Sequence, residues 1–392
     1  MDNKIGIFSF FAGAGFLDLG FEKTEKFETL FVNEYHKAFM DIYKGARTNI
    51  GIEPPKYGHE VKDITDYLKP TELNGLKEMI SNERKLSRTI GFIGGPPCPD
   101  FSVGGKNKGK HGENGKLSGT YIELICTTKP DFFLFENVKG LYRTSKHREF
   151  FESLKVKLKE AGYFLTENLI NSLEYGAPQD RQRIILIGFH KSILKGTGLD
   201  KSKEQLLDSF KWENNKSFDA KTILTSNWPK TDPFKEDSIS EPPSDINKEL
   251  SVQYWFDKND VLNHPNGNHH FTPRNGMAKF LTINEGDDLK KSYKRLHRWR
   301  YSPTAAYGNN EVHLHPYKAR RISVAEALAI QSLPKDFVIP SSITLTDMFK
   351  TIGNGVPFVA ARGLALNIYD FLLNKNNIIK TKVKKYATAD SE

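Results

Sequence analysis

Cysteine is the rarest residue of this chain, with only Cys98 and Cys126 among 392 residues. Two thiols exclude a disulfide framework and a multi-cysteine zinc site, so the sequence predicts no metal centre. Because disulfides belong to oxidising compartments, this scarcity favours a reducing cytoplasm.

Long apolar runs are also missing, since no stretch approaches the ~20 apolar residues that a membrane span needs. The N-terminal run from Ile5 to Leu17 is interrupted by Gly13 and Gly15 and is followed by Asp18 and Glu22. That pattern does not fit a secretion signal. We therefore predict a cytoplasmic protein with no membrane partner.

Acidic residues are outnumbered, because 48 Asp and Glu face 57 Lys and Arg, which gives a net charge of +9 and a pI near 9.1. This balance favours a polyanionic partner, although basic tails alone can produce it. With 38% hydrophobic and 27% charged residues, the composition is that of a soluble globular protein. The length is enough for two domains, or for one domain with a large insertion.

The N-terminal region reads as a strand, a glycine turn and a helix. Apolar Ile5 to Phe10 is followed by FAGAG and by a segment of helical spacing. Glycines let a ligand approach the backbone in the turns of doubly wound α/β sheets, although such a turn can also be only a tight turn. The second strand candidate ends at Glu34, where these sheets hold ribose hydroxyls. Farther on, Asp63 could accept a hydrogen bond from an exocyclic amine, and Ile64 could pack on a base.

The stretch GGPPCPDFS follows an apolar strand candidate, Ile90 to Ile93. Cys98 is therefore predicted at a strand's carboxyl end, the edge at which open α/β sheets bind ligands. Pro96 and Pro97 fix the backbone on one side of the thiol. A lone cysteine is more often structural and inert. A Gly-, Lys- and Asn-rich loop follows, and its lysines could contact a phosphate backbone or be merely solvated.

A carboxylate comes next at the same predicted edge, because the apolar strand from Phe132 to Phe135 ends in Glu136. Burial there would raise the pKa of Glu136 and make it a proton donor. In QDRQR, Arg181 and Arg183 precede another apolar strand. Alternate residues of an extended segment share a face, so both guanidiniums are predicted to reach one site.

The regular α/β pattern stops near residue 190 and returns near residue 319. Turn-rich pieces between them predict a smaller, irregular second domain, which ends in the basic and aromatic run KKSYKRLHRWRYSPT. A helix with a capping box of Ser323 and Glu326 follows. We predict a catalytic, cofactor-binding first part (1–189), a target-recognition domain (190–318), a hinge helix and return to the catalytic domain (319–374), and a solvated, disordered basic tail (375–392).

In this order, the motifs resemble the DNA cytosine-5 methyltransferases of the bacterial restriction-modification type. PPC resembles the nucleophile motif, ENV the acid motif, QDRQR the QxRxR motif and GNGVP the segment that completes the cofactor pocket, while RRISVAEALAIQ resembles the helix that organises the recognition domain. The resemblance implies a Rossmann-like sheet that binds S-adenosyl-L-methionine. The residues that it assigns to the cofactor are Phe11, Ala12, Gly13, Ala14, Gly15, Phe16, Glu34, Tyr35, Asp63, Ile64, Pro96, Asn354 and Val356. Departures at Phe16, Pro99 and Ser118 leave loop closure and cofactor packing open but remove none of the chemical groups.

The chemistry of the reaction agrees with these assignments. Cytosine C5 is too weakly nucleophilic to attack a sulfonium methyl group, so a thiolate must first add at C6, and Cys98 is the thiol placed for this. A neutral carboxylic acid, Glu136, would protonate N3 as charge builds on the ring. Arg181 and Arg183 would hold O2 and nearby phosphates and lower the pKa of the thiol. The base must be flipped out of the duplex to be reached.

The implied partner is double-stranded DNA, which would also place the protein at the nucleoid. A cognate restriction endonuclease acting on the same site is a possible second partner. The enzyme is expected to be a monomer. A tRNA cytosine-5 methyltransferase is one alternative, disfavoured by a long middle region that suits sequence-specific DNA readout. A catalytically inactive DNA-binding relative is the other, disfavoured by the complete set of chemical groups. The basic run could also be only a solvated helix face. The expected DNA contacts are Ser102, Lys106, Lys108, Lys110, Lys294, Arg295 and Arg298.

Overall fold

The structure is a computed structural model, and it describes residues 4–97, 113–142, 144–273, 277–289, 292–305, 307 and 312–389. For residues 113–114 and 375–389 only the backbone is described.

A seven-stranded sheet forms the centre of this part of the chain, with the order β3-β2-β1-β4-β5-β7-β6. The neighbours among β1 to β5 are parallel, and β7 lies antiparallel between β5 and β6. The chain runs outward from β1 in both directions, so the carboxyl ends of β1, β2 and β4 meet where open α/β sheets bind ligands. The strands are β1 (Ile5–Phe10), β2 (Phe27–Glu34), β3 (His59–Val61), β4 (Ile90–Gly94), β5 (Phe132–Val138), β6 (Tyr163–Asn171) and β7 (Gln182–His190).

Helices cover both faces of the sheet, which confirms the predicted doubly wound α/β class. Side chains of β1 alternate between two cores, as the period of two in a strand requires. Ile7 packs in the cluster of Phe21 and Leu364, whereas Phe8 packs in the cluster of Tyr121. The helices are α1 (Phe16–Glu22), α2 (Lys37–Ile50), α3 (Pro70–Lys85), α4 (Glu113–Thr128), α5 (Ser145–Glu160), α6 (Lys191–Leu194), α7 (Ala220–Thr225), α8 (Val252–Lys258), α9 (Met277–Thr282), α10 (Val324–Ile330), α11 (Leu345–Asn354) and α12 (Phe358–Ala389).

The C-terminal helices return to the start of the chain. α12 packs against α1 so closely that a Cβ at Gly20 would lie 2.4 Å from the Cβ of Ala361. The capping box of Ser323 and Glu326 is present at the start of α10, as predicted. The backbone of α12 continues as a helix to Ala389, so the prediction of a disordered tail is wrong for residues 375–389.

The middle of the chain holds short elements, in agreement with the predicted irregular region. Besides α6 to α9, it contains a two-stranded parallel pair, β8 (Lys294–Arg295) with β9 (His313–Leu314). Trp255 and Phe256 of α8 share an apolar cluster with Leu328 of α10 and Leu19 of α1. The middle region therefore packs against the sheet domain. The predicted domain boundaries stay a prediction.

One helical segment, Leu345–Asn374, is long and apolar enough to cross a membrane by length and composition. It comprises α11 and the first half of α12, and 61% of its apolar window is buried within the protein. Core helices of soluble proteins have the same property, so this is weak evidence for a membrane span.

Candidate active site

The glycine turn after β1 is built from left-handed backbone. Phe11, Gly13 and Gly15 have φ values of 54°, 57° and 78°, a region that glycine adopts without strain. A Cβ added at Gly13 would have one near neighbour among the described atoms, Thr351 Oγ1 at 3.8 Å. The turn therefore exposes its backbone to open space, as a cofactor cradle requires.

Glu34 fixes this turn from the end of β2. Its two carboxylate oxygens accept hydrogen bonds from the N–H groups of Gly13 and His36, each at 2.8 Å. Each oxygen keeps a lone pair, so the carboxylate can also accept from ribose hydroxyls, as the sequence predicts. Tyr35 follows with 65% of its surface exposed.

A buried polar cluster, which we did not predict, packs against the glycine turn from the side of α1 and α2. Arg47 donates to the carbonyl of Gly15 at 3.0 Å and lies over the ring of Tyr43. The Tyr43 hydroxyl donates to Asp18 at 2.9 Å. Burial raises the pKa of Asp18 to about 6. A helical pattern does not reveal that α1 and α2 bury polar groups against each other.

The predicted base contacts at 63–64 fit only in part. Asp63 is partly exposed, and its carboxylate accepts from the backbone N–H and hydroxyl of Thr65 at 2.9 and 2.8 Å. Ile64 is only 2% exposed, so its side chain belongs to the core. The prediction that Ile64 packs on a base does not fit this position.

Phe16 explains how the chain accommodates its departure from the family pattern. Its ring is buried against the segment GNGVP, where a Cβ at Gly355 would lie 2.2 Å from the ring. It also contacts Phe337 edge-on. Ala14 and Val356 are also buried. The side chains of these three predicted cofactor residues therefore belong to the core of the protein, and their contact with the cofactor stays a prediction.

Glu136 lies at the carboxyl edge of the sheet, next to the loop that leads to the cysteine. β4 and β5 are parallel neighbours with Gly94 opposite Phe135, so Gly95 lies beside Glu136. A Cβ at Gly95 would lie 2.7 Å from Glu136 Oε2. The Asn137 amide donates to the carbonyl of Pro96 at 3.4 Å. Parallel pairing thus brings the predicted acid to the start of the predicted nucleophile loop.

The surroundings of Glu136 raise the pKa of its carboxyl group. Burial raises the pKa of its carboxyl group, and this effect exceeds the opposing attraction of Arg183 and Arg181. Arg183 forms an ion pair with it, at 2.9 Å between Nε and Oε1. A carboxyl group with a raised pKa can hold a proton near neutral pH and donate it.

Arg181 has a structural role beyond the one predicted. Its side chain is fully buried, and its two terminal nitrogens donate to the carbonyls of Ala305 and Gly353, each at 2.8 Å. Arg181 precedes β7 and is directed toward the C-terminal segments, whereas Arg183 reaches Glu136. Both terminal nitrogens are thus used within the fold, whereas Nε has no partner among the described residues, and a contact of Arg181 with the base or a phosphate stays a prediction.

Two buried glutamines extend this connection. Gln179 accepts from the N–H of Ala305 at 3.0 Å and donates to Gln331 Oε1 at 3.3 Å. Gln331 donates in turn to the carbonyl of Ile352 at 2.5 Å. Gln179 and Arg181 thus join the start of β7 to the GNGVP segment, which contains the predicted cofactor residues Asn354 and Val356. The sequence shows Gln179 within QDRQR but not its partners.

Five predicted site residues lie outside the described residues. One is the nucleophile Cys98, which directly follows the described Pro97. Three peptide units separate Cys98 from Gly95, so the covalent chain allows at most ~11 Å between their Cα atoms. The remaining ones are Ser102, Lys106, Lys108 and Lys110.

The basic run contains two arginines that face inward. Arg295 is fully buried and donates to the carbonyls of Ile283, His315 and Phe280. Arg298 is 4% exposed and forms a two-pronged pair with Glu285, at 2.8 Å for each contact. The prediction that these two arginines contact DNA phosphate is wrong, because both side chains are buried and all of their nitrogens donate within the fold. Lys294 is partly exposed and stays a predicted contact.

Comparison with known families agrees with this geometry. The model of the C-5 cytosine-specific DNA methylase family matches residues 5–370. The chain belongs to this family. Its enzyme class is therefore DNA cytosine-5 methyltransferase, as the motifs predicted.

Relatives of this methyltransferase come from several organisms. It is 56% identical to the Type II methyltransferase M.NmeDI of Neisseria meningitidis serogroup C over 378 residues, 96% of this chain and 86% of that protein. It is 28% identical to M.FnuDI of Fusobacterium nucleatum over 95% of this chain and 97% of that protein. The restriction-modification type predicted from the motifs is confirmed.

Solved structures support the fold. A crystal structure of Spodoptera frugiperda DNMT2 matches with a TM-score of 0.55 at 16% identity, covering 93% of this chain and 100% of that chain. The crystal structure of the Entamoeba histolytica methyltransferase EhMeth matches with a TM-score of 0.57 at 15% identity, covering 95% and 99%. Among the described residues of this methyltransferase, no group of three or more His, Cys, Asp or Glu is arranged to hold a metal ion.

Proposed function

We propose that this methyltransferase transfers a methyl group from S-adenosyl-L-methionine to C5 of a cytosine flipped out of a specific duplex DNA sequence. The observation that carries the proposal is the pairing of Glu136 with Arg183 beside Gly95, three residues before Cys98. A carboxyl group whose pKa is raised by burial thus adjoins the loop of the thiol, and pyrimidine methylation at C5 needs an acid and a thiol.

The residues around the glycine turn fit the proposed cofactor. The open backbone at Gly13 and the carboxylate of Glu34 suit an amino acid moiety and a ribose, and the exposed ring of Tyr35 suits a purine. Thr351 adds a polar group, since its buried Oγ1 has no hydrogen-bond partner among the described residues and lies 3.8 Å from the position of a Cβ at Gly13. When bound, S-adenosyl-L-methionine supplies an electrophilic methyl group.

The protein's own groups would act on the cytosine ring. The Cys98 thiolate adds to C6, and Glu136 gives its proton to N3, which moves electron density to C5. Arg183 stands beside Glu136 and can donate to O2 while its charge favours the thiolate. Once C5 carries the methyl group, the C5 proton passes to water, the Cys98 sulfur leaves C6, and N3 returns its proton to Glu136, which releases 5-methylcytosine and restores the acid.

The substrate would be duplex DNA, since the family is one of DNA methylases. Extrusion of the base costs unstacking energy, and contacts between the extruded base and its pocket would offset this cost. The lysines at 106, 108 and 110 would bind the displaced backbone, and their positions follow Cys98 closely in the sequence. A cognate endonuclease acting on the same site would be the functional partner.

A trapping experiment tests the proposal. The recognition sequence is first found by bisulfite sequencing of DNA from cells that express the protein. A duplex with 5-fluorocytosine at the target is then incubated with the enzyme. Fluorine cannot leave C5 as a proton does, so we expect a denaturant-resistant adduct that requires both S-adenosyl-L-methionine and Cys98. Absence of an adduct on a duplex that is methylated normally would rule out the covalent route, and preference for tRNA over duplex would overturn the substrate.

A further inference from the structure

Two loops of the middle region each carry an aliphatic side chain that is almost fully exposed. Ile239 is 93% exposed and Leu289 is 92% exposed, more than any other large hydrophobic residue in the described part of the chain. Single exposed aliphatic residues are common and usually need no explanation. What distinguishes this pair is how firmly the neighbouring residues are held.

Three consecutive residues of the basic run anchor both loops. Arg298 donates to the carbonyl and to the hydroxyl of Ser238, and the indole N–H of Trp299 donates to the carbonyl of Ser240 at 3.1 Å. The two neighbours of Ile239 are therefore both fixed. Arg300 donates to Asp288, the residue before Leu289, at 2.8 Å.

These anchors are themselves immobilised. Arg298 is buried, paired with Glu285, and stacked over the ring of Tyr317. Trp299 is 7% exposed. Buried charge-assisted hydrogen bonds are strong and geometrically specific. The fold thus holds Ile239 in place while leaving its side chain in solvent, at the cost of keeping apolar surface hydrated.

The chemistry of the two loops favours DNA over a protein as the occupant. A protein interface of standard size needs ~800 Å² on each partner, whereas each loop offers one aliphatic side chain between polar residues. Leucine and isoleucine are side chains that DNA-binding proteins insert between base steps or place against thymine methyl groups. Asp288, which precedes Leu289, is paired with Arg300, and Asp237, two residues before Ile239, is paired with Lys318, so part of the acidic charge of the two loops is neutralised within the fold. The net charge of +9 favours a polyanion.

We propose that Ile239 and Leu289 are apolar DNA contacts of the recognition region, presented to the base pairs by the anchoring turn Arg298, Trp299 and Arg300. This inference rests on the proposed function. It gives the basic run a role other than phosphate binding, since its buried members position two loops.

The test compares Ile239→Ala and Leu289→Ala with Val156→Ala, a matched exposed aliphatic position on α5 with 53% exposure. Binding is measured on the methylated sequence and on a scrambled duplex, at several salt concentrations, together with the affinity for S-adenosylhomocysteine. Each of the first two variants should bind the true site about tenfold more weakly, with an unchanged salt slope, because base contacts carry no phosphate charge. Val156→Ala should match the wild type.

A second variant separates anchoring from contact. Trp299→Phe removes the N–H that holds Ser240 while keeping an aromatic ring in the core. It should weaken binding to the true site, and the loss should largely disappear when Ile239 is already alanine, because coupled residues are not additive. Equal affinity of Ile239→Ala, Leu289→Ala and wild type on a duplex that the wild type methylates would overturn this inference alone. Failure of the wild type to methylate any duplex would overturn the proposed function as well.

Discussion

Replacement of Arg181 by lysine tests whether the buried network joins the active site to the cofactor segment. The guanidinium reaches Ala305 and Gly353 with two different nitrogens, each at 2.8 Å. The single ammonium of lysine cannot bridge both carbonyls in the same way. One charge-assisted hydrogen bond should be lost and one buried carbonyl left without its donor, at a cost of about 1.5–3 kcal/mol.

Part of that cost should appear in cofactor binding. Gly353 is the first residue of the GNGVP segment. Loss of its hydrogen bond to Arg181 would make this segment less constrained, so that cofactor binding would have to order it. We expect Arg181→Lys to bind S-adenosylhomocysteine about tenfold more weakly, which corresponds to about 1.4 kcal/mol. The remaining part of the cost should appear as a lower free energy of unfolding. Isothermal titration calorimetry and chemical denaturation measure the two quantities.

The control is Arg148→Lys, because the one side-chain hydrogen bond of Arg148 within the described part of the chain is an exposed one, at 3.2 Å to the carbonyl of Tyr142. This variant should match the wild type in both assays. If Arg181→Lys also matched the wild type, the buried hydrogen bonds of Arg181 would have no energetic role and the proposed connection would be refuted.

The other predictions concern the catalytic groups and the basic run. Cys98→Ser should abolish methyl transfer and leave cofactor affinity intact, and robust turnover by this variant would contradict the mechanism. Cys126→Ala should keep turnover, because burial raises the pKa of the Cys126 thiol to about 11 and keeps it inert. Glu136→Gln should lower the turnover number by ~10²–10⁴. Burial raises the pKa of Glu136 above its ordinary value of 4.5, so the folded state binds this proton more tightly than the unfolded state does. The free energy of unfolding should therefore fall as pH rises above 4.5. This fall should be smaller in Glu136→Gln, which cannot titrate. Lys294→Ala should flatten the dependence of log K on log salt by ~0.9, whereas Arg295→Lys should lower the free energy of unfolding and leave the slope unchanged.

The carboxyl edge of the sheet could be predicted because it depends on local patterns. Apolar runs that end in Gly95, Glu34 and Glu136 predict parallel strands, and parallel strands place their carboxyl ends together. The hydrogen bond from Gly13 to Glu34 shows that the glycine turn and the end of the second strand are adjacent.

The roles of the arginines could not be predicted, because they depend on distant carbonyls. Arg181 is satisfied by Gly353, 172 residues away, and Arg298 by a serine 60 residues earlier. In a sequence, a solvated cation and a buried one look alike, and alternation along an extended segment predicts only the face. Gln179 and Arg181 point to the same face of the extended segment, but the groups that they bind belong to C-terminal segments that the local pattern does not reveal.

The close packing of α1 on α12 bears on how the chain is synthesised. Residues Phe16–Glu22 leave the ribosome early, whereas their partner helix begins only at Phe358. At ~5–20 residues per second, this interval of about 336 residues lasts on the order of 17–70 s. During that time the apolar face of α1, including Gly20 and Phe21, lacks the surface that later buries it. A nascent chain released before α12 is complete would expose this face and be a target for chaperones and proteases.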